Sequence, residues 1–438
     1  MGTVHATLKI NPELCTGCRL CELACSMKKQ GEYDTTQARV HVIRLIDEAF
    51  FGGITCRQCG EPACIPVCPT GAISKDEEDG VVHVDEEKCI GCMLCTLACP
   101  YGGVYYSEKM AKVIKCDFCD GDPECVKWCP TGAIELLDTP PLYETVSARE
   151  DMLSPGLSAC LGCSGELGLR FTMKLLGPNS ILAIPPCCMG GAGTVGFGTT
   201  TGAKVPVFFP LLDNIASMLS GIKRHYQKIG RDVNVVAFAG DGGTADVGFQ
   251  CLSGAAERGE NIIYICYDNE GYMNTGVQRS GTTPFGAWTS TTPVGTVGRG
   301  KLQKNKNMPM ILAMHEIPYV ATASIAYLAD FANKLRRAME VKDGLAYIHL
   351  FSPCPIGWRF PTEDGLEVSR MAVKTNFFPL WEAVNGKFRI TVKVDFPQPV
   401  QEFTKLVGKY SHLNREELKK VQEIVDERYR RIEAMVQL

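Results

Sequence analysis

The chain has 438 residues, 45% of them apolar and 21% charged, which excludes a disordered polymer and calls for two or more hydrophobic cores. A formal net charge of −4 leaves no basic footprint for a nucleic-acid backbone. No basic leader with an apolar core opens it, and no apolar run approaches the roughly 18–20 residues that cross a bilayer, so a cytoplasmic chain without a membrane partner is expected.

Twenty-three cysteines without a leader point to metal ligation rather than disulfides. Sixteen lie in four groups within the first 137 residues. The first is CTGCRLCELAC (Cys15, Cys18, Cys21, Cys25) and the second CRQCGEPACIPVCP (Cys56, Cys59, Cys64, Cys68). The third is CIGCMLCTLACP (Cys89, Cys92, Cys95, Cys99) and the fourth CDFCDGDPECVKWCP (Cys116, Cys119, Cys125, Cys129). Three closely spaced thiolates wrap one corner of a [4Fe-4S] cubane, and a fourth, followed by proline in three groups, reaches the neighbouring cluster. Four groups imply four clusters. Zinc, the alternative, prefers isolated C-x2-C pairs closed by a distant second pair. CPTGAI occurs twice, from Cys68 and from Cys129, the mark of an internal repeat. This half resembles the four-cluster polyferredoxin subunits of molybdopterin oxidoreductases and hydrogenases. The resemblance implies two α+β ferredoxin-like units in which groups two and three exchange their fourth ligands, Cys68 and Cys99, and groups one and four exchange theirs. Residues 138–156, with three prolines and no apolar period, read as a linker.

Residues 157–438 alternate helix and strand. Ile215, Met218, Leu219 and Ile222 mark a half-buried helix ending near Gly230. Val233–Ala239 reads as a buried strand running into Gly240-Asp241-Gly242-Gly243, and a second helix covers about Asp246–Glu257. Asn261–Tyr267 is a further buried strand that ends in Asp268-Asn269-Glu270-Gly271. In open α/β sheets ligands sit at such carboxyl ends. A diphosphate held through Mg2+ needs hard oxygen ligands and glycines that admit its backbone cradle. Asp241, Asn269 and the Gly271 carbonyl supply three oxygens. From Asn414 an amphipathic helix carries Leu418, Val421, Val425, Ile432 and Met435 on one face, with Asn414 and Glu417 placed to cap it.

The segments GDGGTADVGFQ, YDNEGYMNTGVQRSGTTPFGAW, IPYVATASIA and SPCPIGWRF resemble the thiamine-diphosphate (β) subunit of the 2-oxoacid:ferredoxin oxidoreductases over roughly Ser158–Lys387. The resemblance implies an α/β thiamine-diphosphate-binding domain, a mostly parallel sheet with helices on both faces, behind the polyferredoxin. By position Asp241, Asn269 and Gly271 are its Mg2+ ligands. Gly240, Gly242 and Thr275 are further cofactor contacts, and Asn274 faces thiazolium and substrate as the catalytic residue. The family also holds one [4Fe-4S] cluster beside the thiamine. Cys160, Cys163 and Cys354 match its pattern, and a count of 25 from Cys163 selects Cys188. Cys187 then becomes a small thiol beside the cluster, Cys251 and Cys266 are packing residues, and the seven histidines are structural or superficial.

The implied reaction is oxidative decarboxylation of a 2-oxoacid to acyl-CoA and CO2, with electrons passing through five clusters to ferredoxin or, through a flavoprotein partner, to NAD+. Coenzyme A and the 2-oxoacid are the small-molecule partners. In the family the carboxylate that activates thiamine belongs to a pyrimidine-binding (α) subunit, and no segment here resembles that subunit. After Cys188 the glycine- and threonine-rich run MGGAGTVGFGTTTGAKVP replaces bulky aromatics, which leaves room for an aryl substrate such as phenylglyoxylate unless the run is a surface loop. Met189 stands as the residue that would bend the cofactor. Pyruvate, 2-oxoglutarate and indolepyruvate are the alternative substrates, and a pure electron-transfer subunit with a relic thiamine domain is the alternative class.

Overall fold

The computed structural model describes residues 7–45, 50–59, 62–76, 80–137, 149–194, 202–296 and 299–437. They form two compact units, Met1–Ala148 and Arg149–Leu438. Positions 138–148 of the proline-bearing stretch and positions 195–201 of the glycine–threonine run lie outside the described residues. Residues 149–156, read from sequence as linker, belong to the second unit. Met152 and Leu153 are buried, and Asp151 pairs with Arg170 at 2.7 Å.

The first unit contains four two-stranded antiparallel ribbons: β1 (Thr7–Ile10) with β8 (Ile134–Leu137), β2 (Val40–Leu45) with β3 (Phe50–Thr55), β4 (Ile73–Lys75) with β5 (Val82–Val84), and β6 (Val104–Ser107) with β7 (Lys112–Lys115). Helices α1 (Leu20–Gln30), α2 (Leu94–Ala98) and α3 (Glu124–Lys127) are short. Each copy of CPTGAI makes the same turn into a strand. The Ala72 amide donates to Cys68 Sγ and the Ala133 amide to Cys129 Sγ, both at 3.2 Å, before β4 and β8 begin. The apolar cores are small and include cysteines: Leu8, Val40, Phe118 and Ile134 gather around Cys21, Cys25, Cys116 and Cys125, while Ile73, Val82, Val104 and Val113 gather around Cys64 and Cys95.

The second unit is built on one eight-stranded sheet: β9 (Ser180–Ala183), β10 (Val207–Phe208), β11 (Asn234–Gly240), β12 (Ile263–Asp268), β13 (Tyr319–Ser324), β14 (Ala346–Phe351), β15 (Leu380–Val384) and β16 (Lys387–Val392), in the order β10-β9-β11-β12-β14-β13-β15-β16. The first six run parallel and the last two are antiparallel. Its helices are α4 (Ser164–Leu176), α5 (Cys188–Thr194), α6 (Ile215–Lys228), α7 (Phe249–Glu257), α8 (Met308–Ala313), α9 (Leu328–Glu340), α10 (Pro355–Trp358), α11 (Gly365–Lys374), α12 (Gln401–Thr404) and α13 (Arg415–Gln437). Strand side chains alternate between faces. Val235, Ala237 and Ala239 join the core formed with Ile215, Leu219, Leu252 and Leu312 of α6, α7 and α8. On the other side Leu350 packs so closely on Gly168 of α4 that a Cβ there would lie 2.5 Å from Leu350 Cδ2.

The helix expected from about Asp246 is interrupted. Gly243–Val247 is a π-helical turn, and α7 starts only at Phe249. The widened turn brings the Gly243 carbonyl and Gly248 together with no room for a Cβ on Gly248, and such turns concentrate at functional sites. The C-terminal helix has its capping box: the Asn414 amide donates to Glu417 Oε2 at 3.0 Å and the Glu417 amide to Asn414 Oδ1 at 2.9 Å. Val421, Val425 and Ile432 are its buried residues. Among the described residues no helix is long and apolar enough to cross a membrane.

Because thiols occupy so much of the first unit's core, stripping iron with a chelator under anaerobic reducing conditions should unfold Met1–Ala148. Hydrogen exchange checks this: protection is expected to vanish from β1–β8 and to persist in β11, β12 and β14, and unchanged protection in β1–β8 would contradict it.

Candidate functional site

Strands β11 and β12 are parallel neighbours in register, Gly240 opposite Tyr267, so the residues just beyond them emerge side by side. Asp241 is fully buried, and its Oδ1 accepts from the Asn269 amide at 3.3 Å. Its Oδ2 accepts from the hydroxyls of Ser280 and of Thr282, the latter at 2.8 Å. Thr282 Oγ1 lies equally close, 2.8 Å, to Asp268 Oδ1. One hydroxyl carries one hydrogen, so it cannot serve two carboxylates. Burial and then the Asp268 charge push the Asp241 carboxyl up. Burial would also raise Asp268, but the His349 hydrogen bond and charge hold it below the usual carboxylate range. His349 Nε2 sits 2.8 Å from Asp268 Oδ2, and its Nδ1 is 2.7 Å from the Tyr347 hydroxyl.

The Asn269 side-chain amide oxygen, as oriented, faces only acceptors. It is 3.0 Å from Asp241 Oδ1 and 2.8 Å from the Gly271 carbonyl. Turned over, the amide would donate to both; unturned, three oxygens converge from three residues. That donor set fits a hard divalent cation. Gly242 has Tyr272 directly against the place a Cβ would occupy, 2.5 Å from its ring, and a Cβ on Gly271 would lie 2.9 Å from the Gln278 carbonyl oxygen. Both glycines are thus required by the close approach of neighbouring protein atoms. The loop is fastened all round: Trp358 Nε1 donates to the Asn269 carbonyl at 2.8 Å, and the Thr283 hydroxyl donates to the Glu270 carbonyl at 2.7 Å. Glu270 has a left-handed backbone, φ 62°, and burial pushes its carboxyl up to about 7 against the pull of Lys409. Asn274 and Thr275 sit on an exposed turn, where Thr275 Oγ1 donates to Gln278 Oε1 at 2.5 Å.

The first C-x2-C turn of each of the five cysteine groups shares one backbone feature. Their third residues, Gly17, Gln58, Gly91, Phe118 and Gly162, all have positive φ, between 50° and 68°. In the second unit Cys163 and Cys354 each cap a helix, their sulfurs accepting from the amides of Glu166 at 3.4 Å and Gly357 at 3.3 Å. Burial, joined by the negative charges of Cys187, Cys354, Cys163 and Cys160, pushes the Cys188 thiol up to about 12. Cys188 and the other expected ligands, Cys160, Cys163 and Cys354, are thus electrostatic neighbours, with Cys187 beside them. Cys187 turns toward Gly240 and Tyr267. Burial raises its thiol, and a hydrogen bond from the Tyr267 hydroxyl opposes the rise. Met189 is buried against Gly165 of α4, its Cε 3.5 Å from where a Cβ would stand.

In the first unit Cys129 lines the same cavity as Cys15, Cys18 and Cys21. The Cys95 thiol is pushed up to about 11, by burial first and, among charges, by Cys64, Cys92 and Cys68. The Cys64 thiol is raised by burial, then by the charge of Cys56, with Cys99 adding to it. Cys25 is raised by burial and by Cys119. Each trailing cysteine thus neighbours the group with which the resemblance pairs it. Among the described residues no three His, Cys, Asp or Glu side chains close on one point as a single-ion site would require.

Sequence reasoning missed the hydroxyls of Ser280, Thr282 and Thr283 and the roles of Asp268 and His349. His349 stands in the all-buried strand AYIHLF, and a histidine within such a run is the signal that marks a polar partner.

Fold and site together define a thiamine-diphosphate-binding, iron–sulfur oxidoreductase subunit. The family model described as "Thiamine pyrophosphate enzyme, C-terminal TPP binding domain" matches residues 161–350, and models for a "4Fe-4S dicluster domain" and a "4Fe-4S binding domain" match 47–139 and 12–28. The chain is 48% identical over 442 aligned residues to the NADH-dependent phenylglyoxylate dehydrogenase subunit beta of Aromatoleum evansii, covering 100% of this chain and 99% of that one. It is 47% identical to pyruvate synthase subunit PorB of Methanothermobacter thermautotrophicus, over 64% of this chain and 96% of that one. Ketoisovalerate oxidoreductase subunit VorB of Pyrococcus furiosus is 41% identical over 66% of this chain and 94% of its own length. The chain belongs to the thiamine-diphosphate (β) subunits of the 2-oxoacid oxidoreductases.

Three substitutions test the site. Thr282→Val removes the hydroxyl between Asp241 and Asp268 and should weaken Mg2+-thiamine diphosphate binding about 10- to 100-fold, read by isothermal titration. Cys187→Gly should leave the iron content unchanged, whereas Cys188→Ala should lose one cluster; iron analysis that reverses the two would contradict the assignment.

Proposed function

We propose that the chain is the thiamine-bearing subunit of a coenzyme A-acylating oxidoreductase that converts phenylglyoxylate, coenzyme A and NAD+ to benzoyl-CoA, CO2 and NADH. The observation that carries this reading is the extent of the alignment. The phenylglyoxylate relative matches the whole chain, whereas the pyruvate and ketoisovalerate relatives match 64% and 66% of it. Asp241 Oδ1, Asn269 Oδ1 and the Gly271 carbonyl would hold Mg2+, and Gly240, Gly242 and Thr275 would border the diphosphate. Bound thiamine diphosphate supplies a carbanion for the 2-oxo carbon and a sink for the electrons left when CO2 departs.

This chain's residues bind and orient. Asn274, on its exposed turn, would be the side chain that meets the substrate. Cys160, Cys163, Cys188 and Cys354 would carry the first cluster, and the four exchanged sets in the first unit would carry four more toward a flavoprotein that reduces NAD+. Ferredoxin is the alternative acceptor.

An exposed apolar segment lies beside the strand-end loop. Phe208, Phe209 and Leu211 are exposed, Phe209 with Cε1 3.5 Å from the Cβ position of Gly190, and Leu212 of the same segment packs on Gly243. A pyrimidine-binding partner subunit that brings the thiamine-activating carboxylate would cover this face. The chain alone, fully loaded with clusters and thiamine diphosphate, should therefore turn over no 2-oxoacid. Adding the pyrimidine-binding subunit should give turnover with phenylglyoxylate in preference to pyruvate, 2-oxoglutarate and indolepyruvate, with NAD+ reduced when the flavoprotein is present. Turnover by the lone chain, or faster turnover of pyruvate by the complex, would contradict this.

A further inference from the structure

The C-terminal segment contributes a buried cation to the metal loop. Lys409 lies between α12 and α13, and its Nζ meets the Glu270 carboxylate, both side chains almost wholly buried. The same ammonium stands 3.1 Å from the centroid of the Trp358 ring, a cation over a π face. Glu270 directly follows Asn269, and Trp358 ends the short helix α10 that Cys354 caps. The indole closes the circuit by donating to the Asn269 carbonyl. Beside it the Met273 thioether presses on Gly357, where a Cβ would lie 3.5 Å from Cys354 Sγ. The Lys409 backbone is itself fixed: its carbonyl accepts from the Trp288 amide at 3.0 Å, and the Gly408 amide donates to the Arg359 carbonyl at 3.2 Å.

We propose that Lys409 is a positioning residue for electron transfer: it holds the metal loop against the cysteine loop of the adjoining cluster, and its positive charge raises that cluster's reduction potential. Glu270 engages the ammonium from the metal loop and Trp358 engages it from the cysteine loop. A cation held in a low-dielectric interior favours an added electron nearby. The charge reaches Cys354: burial raises that thiol, hydrogen bonds from Gly357 and Ile356 oppose the rise, and Lys409 opposes it further. The inference rests on the reading of Cys160, Cys163, Cys188 and Cys354 as a cluster site.

The test is an EPR-monitored redox titration of the intact complex. The component lost in Cys354→Ala identifies the adjoining cluster; if that variant retains all its iron, the cluster assignment falls and this inference with it. The double variant Glu270→Gln/Lys409→Met removes the ion pair as a unit, so it should fold, and the single variant Glu270→Gln isolates the effect of the carboxylate. Relative to Glu270→Gln, the identified component of the double variant should move to lower potential while the others stay, and Lys409→Arg, which keeps the charge, should hold it near the native value. With the cluster assigned, a double variant with the same potential as Glu270→Gln, or an equal fall with arginine, overturns the inference alone.

Discussion

Two buried carboxylates, Asp241 and Asp268, face one threonine hydroxyl, and the remaining geometry of the site follows from how that conflict is resolved. Parallel pairing of β11 and β12 forces the two residues together. The His349 hydrogen bond and charge hold the Asp268 carboxyl low, while burial and the Asp268 charge raise the Asp241 carboxyl, so positive charge at Asp241 would relieve the pair. A divalent ion with a diphosphate would meet this requirement and would also match the converging oxygens of Asn269 and Gly271. In the proposed site, binding the ion and relieving the carboxylate repulsion would be one event.

The first unit depends on a different constraint. Its ribbons are short and its apolar clusters small, so the thiols at their centres are part of the core rather than ornaments on it. The same left-handed turn recurs in the first C-x2-C pair of each cysteine group in both units, with glycine at three of the five third positions and Gln58 and Phe118 at the others. A turn that spends backbone strain on two non-glycine residues has a reason to be kept, and presenting two thiolates to one cluster is such a reason.

Much of this was legible in the sequence because it was carried by periodicity and spacing. The buried strands around Val235 and Ile265, the helix from Ile215 and the capping box at Asn414 fall within a residue or two of their expected places. Asp241, Asn269 and Gly271 were visible because strand ends are where α/β sheets bind. What was hidden is what long-range packing decides. The π-helical turn at Gly243 lies against Leu212, 31 positions earlier, and no local period announces it. Lys409 lies 139 positions from Glu270, so no window of sequence joins them. The hydroxyls of Ser280 and Thr282 lie 39 and 41 positions from Asp241, and only the fold brings them onto its carboxylate.

The central claim is that this strand-end pair is the thiamine diphosphate site of a working 2-oxoacid oxidoreductase subunit. The most direct measurement is the thiamine diphosphate content of the purified complex, native and carrying Asp241→Ala, with iron measured in parallel. The account predicts one thiamine diphosphate per chain in the native complex and none in the variant, with iron equal in the two. A variant that retains one thiamine diphosphate per chain would contradict it.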